Sequence, residues 1–211
     1  MADDVSLTTF LESLGSSAPA PGGGAASALA GALAAALAEM VAQLTVGRPK
    51  YAAVDERVRD AIERLRLARA RLLQLMDDDE RAFRAVSAAY KLPKSDDDER
   101  AGRETAIQQA LGEAMRPPLA VMSTACDVLT LAEEIARIGN ATLASDAGCA
   151  AILGEAATRS AGLNVLANVV LLRDAVAASD ARKQVEALES LASTLAQTTL
   201  AMVRRRMGLE P

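Results

Sequence analysis

The feature that most constrains this sequence is a long, nearly uncharged segment, Ala25–Val46, in which small residues recur every four positions. Its one formal charge is Glu39. Small side chains at this spacing share one face of an α-helix and let neighbouring helices approach closely. Three glycines, Gly22–Gly24, precede the segment, and Lys50 and Tyr51 follow it. We therefore expect a central helix with a glycine-rich turn at one end and a basic turn at the other.

The composition favours an all-α fold. Hydrophobic residues make up 51% of the 211 residues but aromatic residues only 2%, so the core must be filled by Ala, Leu, Val and Ile in closely packed helices. The length suits one domain, and we expect residues 1–211 to form a single-domain bundle of long helices. Two helices, Ala25–Val46 and Ala147–Leu172, are apolar on almost every side. They predict a homodimer that forms through the Ala-rich helices.

Several classes of protein can be set aside. The net charge of −5 is spread over intermixed acidic and basic residues, which leaves no basic stripe for nucleic acid. The acidic start, Met1–Asp4, differs from a signal peptide, and Glu39 and Gln43 interrupt the one segment that approaches membrane-span length. We therefore expect a cytoplasmic protein without membrane contact. Cys126 and Cys149 lie in apolar helical sequence, so we expect both to be small residues of the core.

Histidine is absent from the sequence. The commonest general base and the commonest transition-metal ligand are therefore missing, so any chemistry falls to Asp, Glu, Lys, Tyr and Cys. No clustered cysteines or acids have the spacing of metal ligands, and we expect no metal site.

An acidic residue interrupts the longest helical pattern. Apolar residues recur at steps of three and four from about Tyr51 to Tyr90, as in a coiled-coil seam, but Asp79 occupies the step between Leu75 and Ala82. A buried acid is costly unless it is paired or used, so Asp79 is a candidate functional residue. The alternative is that the seam meets solvent here, within the acidic run 77–80.

Capping residues predict where other helices begin, and a second acidic residue lies at one of these helix starts. Ser6 predicts the N-cap of a first helix over 7–14. Ser95 with Asp98 predicts a capping box at the start of a later helix. The final helix is expected over roughly 180–207, with Leu191 on its inner face. A further apolar helix begins at Ser145 with Asp146 in its first turn. Asn164 and Asn168 lie about 27–33 Å along that helix from Asp146, so they cannot share a site with Asp146 of the same chain unless the helix breaks. We expect them to be buried amides that bond to neighbouring helices.

A set of motifs, in this order and spacing, resembles the cyclodeaminase/cyclohydrolase family. This family comprises the C-terminal domain of formiminotransferase-cyclodeaminase and the stand-alone bacterial methenyltetrahydrofolate cyclohydrolase. The motifs cover almost the whole chain: the run Ala18–Gly24, Leu44–Tyr51, Asp79 four residues before Phe83, Tyr90–Lys94, Gly139–Asn140, Ser145–Gly148, and Asn164 with Asn168. Where the family has Pro-Thr-Pro and a Lys-Lys-Lys-Tyr ending, this chain has Pro-Ala-Pro and Arg48–Tyr51.

The resemblance implies an all-helical homodimer with folate bound near the helix interface, and no metal or cofactor beyond the folate substrate. In the implied reaction water adds to the bridging carbon of 5,10-methenyltetrahydrofolate. A carboxylate can stabilise this cationic substrate and can accept the proton of the attacking water. Asp146 is the expected base and Asp79 the second carboxylate, although their roles can be exchanged, and Lys50 is the third catalytic candidate. The expected substrate-binding residues are Pro21, Gly22, Gly23, Gly24, Tyr51 and Ser145, with the glycine N–H groups binding an anionic oxygen.

Three functions fit these residues. The first is hydrolysis of methenyltetrahydrofolate to 10-formyltetrahydrofolate, which the absence of a fused formiminotransferase domain favours. The second is a cyclodeaminase that releases ammonia from formiminotetrahydrofolate and needs the same acids. The third is a non-catalytic helical oligomer, which would have no use for Gly22–Gly24 together with Lys50, Asp79 and Asp146.

Overall fold

The computed structural model describes residues 6–209, which form α-helices and two short 3-10 turns with no strand in that range. The α-helices are α1 (Leu7–Leu14), α2 (Gly23–Gln43), α3 (Asp55–Tyr90), α4 (Asp97–Ala114), α5 (Arg116–Ile138), α6 (Ala144–Val169) and α7 (Ala175–Arg206), and the 3-10 turns are Pro49–Val54 and Ala141–Leu143. The predicted all-α fold is therefore confirmed. The acidic start of the chain, on which the expectation about a signal peptide rests, lies outside the described residues.

Helix α2 is the centre of the bundle. It packs on α3 and α6, and at Gly31 a Cβ atom would already lie 3.1 Å from the Leu72 side chain of α3 and 3.5 Å from Ala157 of α6. Several of its alanines, including Ala28 and Ala35, are fully buried. The predicted close packing of small residues is thus present. Helix α2 also has the length and hydropathy of a membrane span, but 56% of its most apolar window is buried inside the bundle, as in a core helix.

Helices α2 and α6 run antiparallel, which decides where the functional residues meet. Gly23, at the start of α2, lies against Asn164 near the end of α6. At the other end, Thr45 just past α2 bonds to Asn140 just before α6. Each end of this helix pair therefore combines the beginning of one helix with the end of the other.

Helix α3 has the predicted apolar seam. Its buried residues include Val58, Leu65, Leu72 and Leu75, and the α-helix begins at Asp55 after the 3-10 turn. Asp79 follows Leu75 by four residues and is half-buried. The seam therefore continues to Asp79 instead of ending in open solvent.

Four local predictions need correction. The capping box lies one residue later, because Asp96 accepts the Glu99 N–H and Glu99 accepts the Ser95 N–H. Helix α7 begins at Ala175 instead of near residue 180, since Asp174 caps it by accepting two backbone N–H groups. Leu191 is 45% exposed, whereas Ala192 and Ala196 face the core. Cys126 is buried as expected, but Cys149 is exposed.

Candidate active site

The Asp79 carboxylate lies at the first turn of α2. The backbone N–H of Ala25 donates to it, and a Cβ atom on Gly24 would lie only 2.1 Å from its Oδ1 atom. Any residue larger than glycine would collide with the carboxylate at that position. The carboxylate that lies at the start of α2 is therefore the protein's own Asp79.

The pKa of Asp79 is raised above its ordinary value. Burial is the main cause, the nearby negative charge of Glu80 adds to it, and the hydrogen bond from Ala25 acts in the opposite direction. Burial raises the pKa because the charged carboxylate loses hydration. Asp79 is therefore a stronger proton acceptor than an exposed aspartate.

Two amides share a cleft with Asp79. The cleft, called here the first cleft, has a volume of about 330 Å³ and is lined by Gly22, Gly23, Asp79, Asn164 and Asn168 among others. Both amide nitrogens donate within α6, from Asn164 Nδ2 to the Ser160 carbonyl at 2.8 Å and from Asn168 Nδ2 to the Asn164 carbonyl at 3.0 Å. The prediction that these amides bond to neighbouring helices is therefore wrong.

The amide oxygens of Asn164 and Asn168 have no hydrogen-bond partner among residues 6–209. A Cβ atom on Gly23 would lie 3.2 Å from Asn164 Oδ1, so the glycine lets α2 approach this amide closely. Phe83, Val86 and Leu171 give the first cleft an apolar wall. A carboxylate, two acceptor oxygens and an apolar wall suit a flat, cationic heterocycle that carries N–H donors.

A second group of functional candidates lies at the other end of α2. The Tyr51 hydroxyl accepts the Ala141 N–H at 3.3 Å and lies 3.5 Å from Asn140 Oδ1. Asn140 is buried, and its N–H donates to Thr45 Oγ1 at 2.8 Å. These bonds fix the turn that carries Lys50 to the start of α6, and Lys50 Nζ lies 5.5 Å from the Tyr51 ring centre.

Ser145 and Asp146 lie in the first turn of α6, close in sequence to this network. Ser145 is exposed and Asp146 is half-buried, and neither side chain has a hydrogen bond or ion pair with another described residue. The sequence pattern indicated Asn140 only as part of a helix end. Its burial and bonds make it the centre of the network, and the preceding Gly139 has a negative φ of −79°, so close packing and not an unusual backbone angle requires that glycine.

The structure separates the predicted catalytic residues into two groups. Gly23 and Gln43 bound α2, so its ends lie about 30 Å apart at 1.5 Å per residue. Asp79 lies at one end, and Lys50, Tyr51 and Asp146 lie at the other. Pro21 contributes to a neighbouring groove beside α1. A single copy of the chain therefore does not bring Asp79 and Asp146 together, while it does unite Asp79 with Gly22–Gly24 and the two asparagines.

No group of three or more His, Cys, Asp or Glu residues within 6–209 is arranged to hold a metal ion.

A family model described as formiminotransferase-cyclodeaminase matches residues 6–187. The chain belongs to the formiminotransferase-cyclodeaminase family. Members of this family are enzymes, and so is this chain. It is 41% identical over 208 residues to the methenyltetrahydrofolate cyclohydrolase of Methylorubrum extorquens, covering 99% of this chain and 100% of that protein.

Other members of the formiminotransferase-cyclodeaminase family differ in length. The formimidoyltransferase-cyclodeaminase of Rattus norvegicus is 36% identical over 203 residues, which are 96% of this chain but 38% of the rat protein. The crystal structure of formiminotetrahydrofolate cyclodeaminase from Thermotoga maritima superposes with a TM-score of 0.86 at 32% identity, covering 95% of this chain and 96% of that one. The family fold is thus shared over nearly the entire chain.

Proposed function

We propose that this enzyme hydrolyses 5,10-methenyltetrahydrofolate to 10-formyltetrahydrofolate. The observation that carries the proposal is the half-buried carboxylate of Asp79, which has a raised pKa and faces a cleft with two acceptor amides. The substrate holds a delocalised positive charge across its N5–carbon–N10 bridge. A fixed negative charge beside that bridge stabilises the cation and the charge that develops as water attacks.

The reaction needs one proton acceptor and one proton donor. As the water oxygen bonds to the bridging carbon, Asp79 takes one of the water protons. The bond from that carbon to N5 then breaks, N5 receives a proton, and the remaining hydroxyl proton is lost as the formyl group forms on N10. The substrate cation and one water thus give a neutral product and one released proton. The raised pKa of Asp79 suits this transfer, and we therefore assign the base to Asp79 instead of Asp146.

The complete site is formed by two copies of the chain. Within one copy, Asp146 and Lys50 lie at the opposite end of α2 from Asp79, and the axis of this helix is about 30 Å long. A twofold axis across the middle of α2 would place the two α2 helices antiparallel. The end of one helix would then meet the start of the other. In this arrangement the partner subunit's Asp146 adds a second negative charge for the cation, and the partner subunit's Lys50 donates the proton to N5.

The surface of α2 supports such a dimer. Leu33, at the middle of the helix, is 50% exposed and Met40 is 37% exposed. On α6, Ile152 is 52% exposed. This apolar surface is of the kind that association covers. Light scattering at micromolar concentration should give the mass of a dimer, and a monomer would contradict the two-copy site.

A cyclodeaminase is the second candidate, and the Thermotoga maritima structure favours it. That protein is of nearly the same length as this chain and carries the name cyclodeaminase, so length does not separate the two activities. The higher identity, 41% against 32%, is to the cyclohydrolase. We therefore place the cyclohydrolase first and the cyclodeaminase second.

One pair of assays tests the proposal. Loss of methenyltetrahydrofolate absorbance, corrected for spontaneous hydrolysis, should be strongly accelerated by the enzyme. Ammonia release from formiminotetrahydrofolate should be slower at the same enzyme concentration. Faster ammonia release would make the enzyme a cyclodeaminase, and no turnover of either substrate would refute both activities.

We also propose that the reaction needs no metal and takes place in the cytoplasm. Each role in the proposed reaction falls to a carboxylate, a lysine or an amide. Dialysis against a chelator should leave the rate unchanged, and restoration of a lost rate by one specific ion would contradict this.

A further inference from the structure

A second cleft continues from the first along α3. It has a volume of about 410 Å³ and shares Pro19, Ala20, Glu80 and Phe83 with the first cleft. Beyond Phe83 it extends to Ser87 and Lys91. The two clefts therefore form one continuous surface that starts at Asp79 and ends at Lys91, directly after α3.

The side chains along this surface change in character at regular steps. Asp79, Phe83, Ser87 and Lys91 are four residues apart, so they follow one inclined row along α3 to its C-cap, Lys91, with about 6 Å between neighbouring Cα atoms. The row runs from an acid through an aromatic ring and a hydroxyl to an ammonium group. Phe83 is 42% exposed and offers part of its ring to the cleft.

The charge at the far end of the row is available for a ligand. Three charged side chains line the second cleft, and two of them, Glu80 and Arg84, form an ion pair with each other. The third, Lys91, has no hydrogen bond or ion pair with any other residue within 6–209. The second cleft thus has a surplus positive charge in a chain with a net charge of −5.

We propose that the second cleft binds the tail of the folate substrate, with its benzoyl ring against Phe83 and its glutamate carboxylates at Lys91. The proposal rests on the proposed function, since it places the cationic bridge of the substrate at Asp79. Asp79 and Lys91 are about 18 Å apart along the helix axis. Helical side chains tilt toward the N-terminus, so the lysine stem reaches back by about 6 Å. The remaining 12 Å matches a benzoyl ring, an amide bond and the first glutamate.

The recognition is electrostatic and therefore depends on the number of glutamates. An exposed ammonium pairs with one carboxylate at a time, but a chain of γ-linked glutamates offers several. Lys91 is consequently a specificity residue that favours glutamylated substrates. It takes no part in the bond changes at the bridging carbon.

Kinetics with substrates of different tail length test this role. The substrates are methenyltetrahydrofolate with one and with three glutamates, and methenyltetrahydropteroate, which has none. Lys91→Gln should raise KM for the triglutamate about fivefold, with kcat retained and a much smaller change for methenyltetrahydropteroate. Added salt should reduce the difference between the variant and the unmodified enzyme. Lys94→Gln, three residues away and outside the cleft lining, is the matched control and should retain the tail preference.

A binding experiment separates this proposal from the proposed function. Calorimetry with p-aminobenzoyl-triglutamate, the tail alone, needs no turnover. Binding to the unmodified enzyme that weakens in Lys91→Gln supports the tail site even if the enzyme proves to act on another folate. Equal binding by both proteins, or equal effects of Lys91→Gln on all three substrates, would overturn the proposal.

Discussion

Two opposing influences act on the ionisation of Asp79. Its burial disfavours the ionised form, while the N–H of Ala25 at the start of α2 favours it, and burial dominates because the pKa is raised. An acid with a raised pKa costs stability when it is ionised, since the unfolded chain ionises it more readily. The cost is present at neutral pH and disappears as the pH falls through the folded pKa toward 3.8, the ordinary value.

Asp79→Asn should therefore separate activity from stability. The amide keeps the shape and an acceptor oxygen for Ala25 but removes the charge, so kcat should fall by about a hundredfold or more. The melting temperature at pH 7 should hold or rise, and any gain should shrink as the pH is lowered. Turnover and thermal unfolding measure the two effects.

The neighbouring residue provides the control for Asp79→Asn. Asp78 forms ion pairs with Arg71 and Arg81 instead of facing the cleft. Asp78→Asn should keep the rate and lower the melting temperature slightly, because partly exposed ion pairs contribute little. Loss of stability in Asp79→Asn with normal turnover would show that Asp79 is structural.

The pH dependence of the rate should also reflect the raised pKa of Asp79. If Asp79 must be ionised to accept a proton, kcat/KM falls as the pH falls through its pKa. The midpoint of that acid limb should lie above 3.8, because burial raises the pKa. A rate profile of the unmodified enzyme, corrected for uncatalysed hydrolysis, measures the midpoint. A midpoint at or below 3.8 would exclude Asp79 as the base.

At the scale of the element, the start of α2 is shaped by the carboxylate beside it. Gly24→Ala would place a methyl group 2.1 Å from Asp79 Oδ1 and so must displace the acid. We expect a loss of turnover of tenfold or more with helix content retained. Circular dichroism and the rate assay together measure this.

Gly102→Ala is the matched control for the glycine substitution. Gly102 lies inside α4, and a Cβ there meets no atom within 4 Å. This change should keep the rate and raise stability by about 0.5–1 kcal/mol, since alanine is the better helix former. Equal rates for both glycine variants would show that the position of Asp79 is unimportant.

Sequence periodicity predicted most of the elements because the apolar residues repeat strongly. The seam of α3 and the buried alanines of α2 are where the pattern places them. It failed for Leu191, because on α7 the small alanines face the core and the larger leucine faces outward. It also failed at the start of α7, where Asp174 caps the helix and residue 180 lies inside it.

The candidate site was harder to predict because it depends on how helices are paired. The distance between Asp146 and Asn164 follows from their positions on one helix. The proximity of Asn164 to Asp79 follows only from the antiparallel contact of α2 with α6. The available signal was a pair of glycines, Gly24 beside Asp79 and Gly23 beside Asn164, since small residues mark the places where helices approach closely.

In the whole molecule, a dimer would bring together the two groups of candidate residues that a single copy keeps apart. Each copy supplies Asp79 at one end of α2 and Asp146 with Lys50 at the other. Two antiparallel copies would form two equivalent sites, each built from both chains. The enzyme would then be inactive as a monomer, and its rate per chain should fall on dilution below the dimer dissociation constant.

Mixing two inactive variants tests most directly whether two copies of the chain share each site. Asp79→Asn and Asp146→Asn should each lower the rate of methenyltetrahydrofolate hydrolysis by about a hundredfold or more as separate proteins. After unfolding and refolding together in equal amounts, half of the dimers are mixed, and each mixed dimer has one site with both aspartates. The rate should therefore return to about a quarter of that of the unmodified enzyme. A rate no higher than the average of the two separate variants would contradict a site shared between two copies.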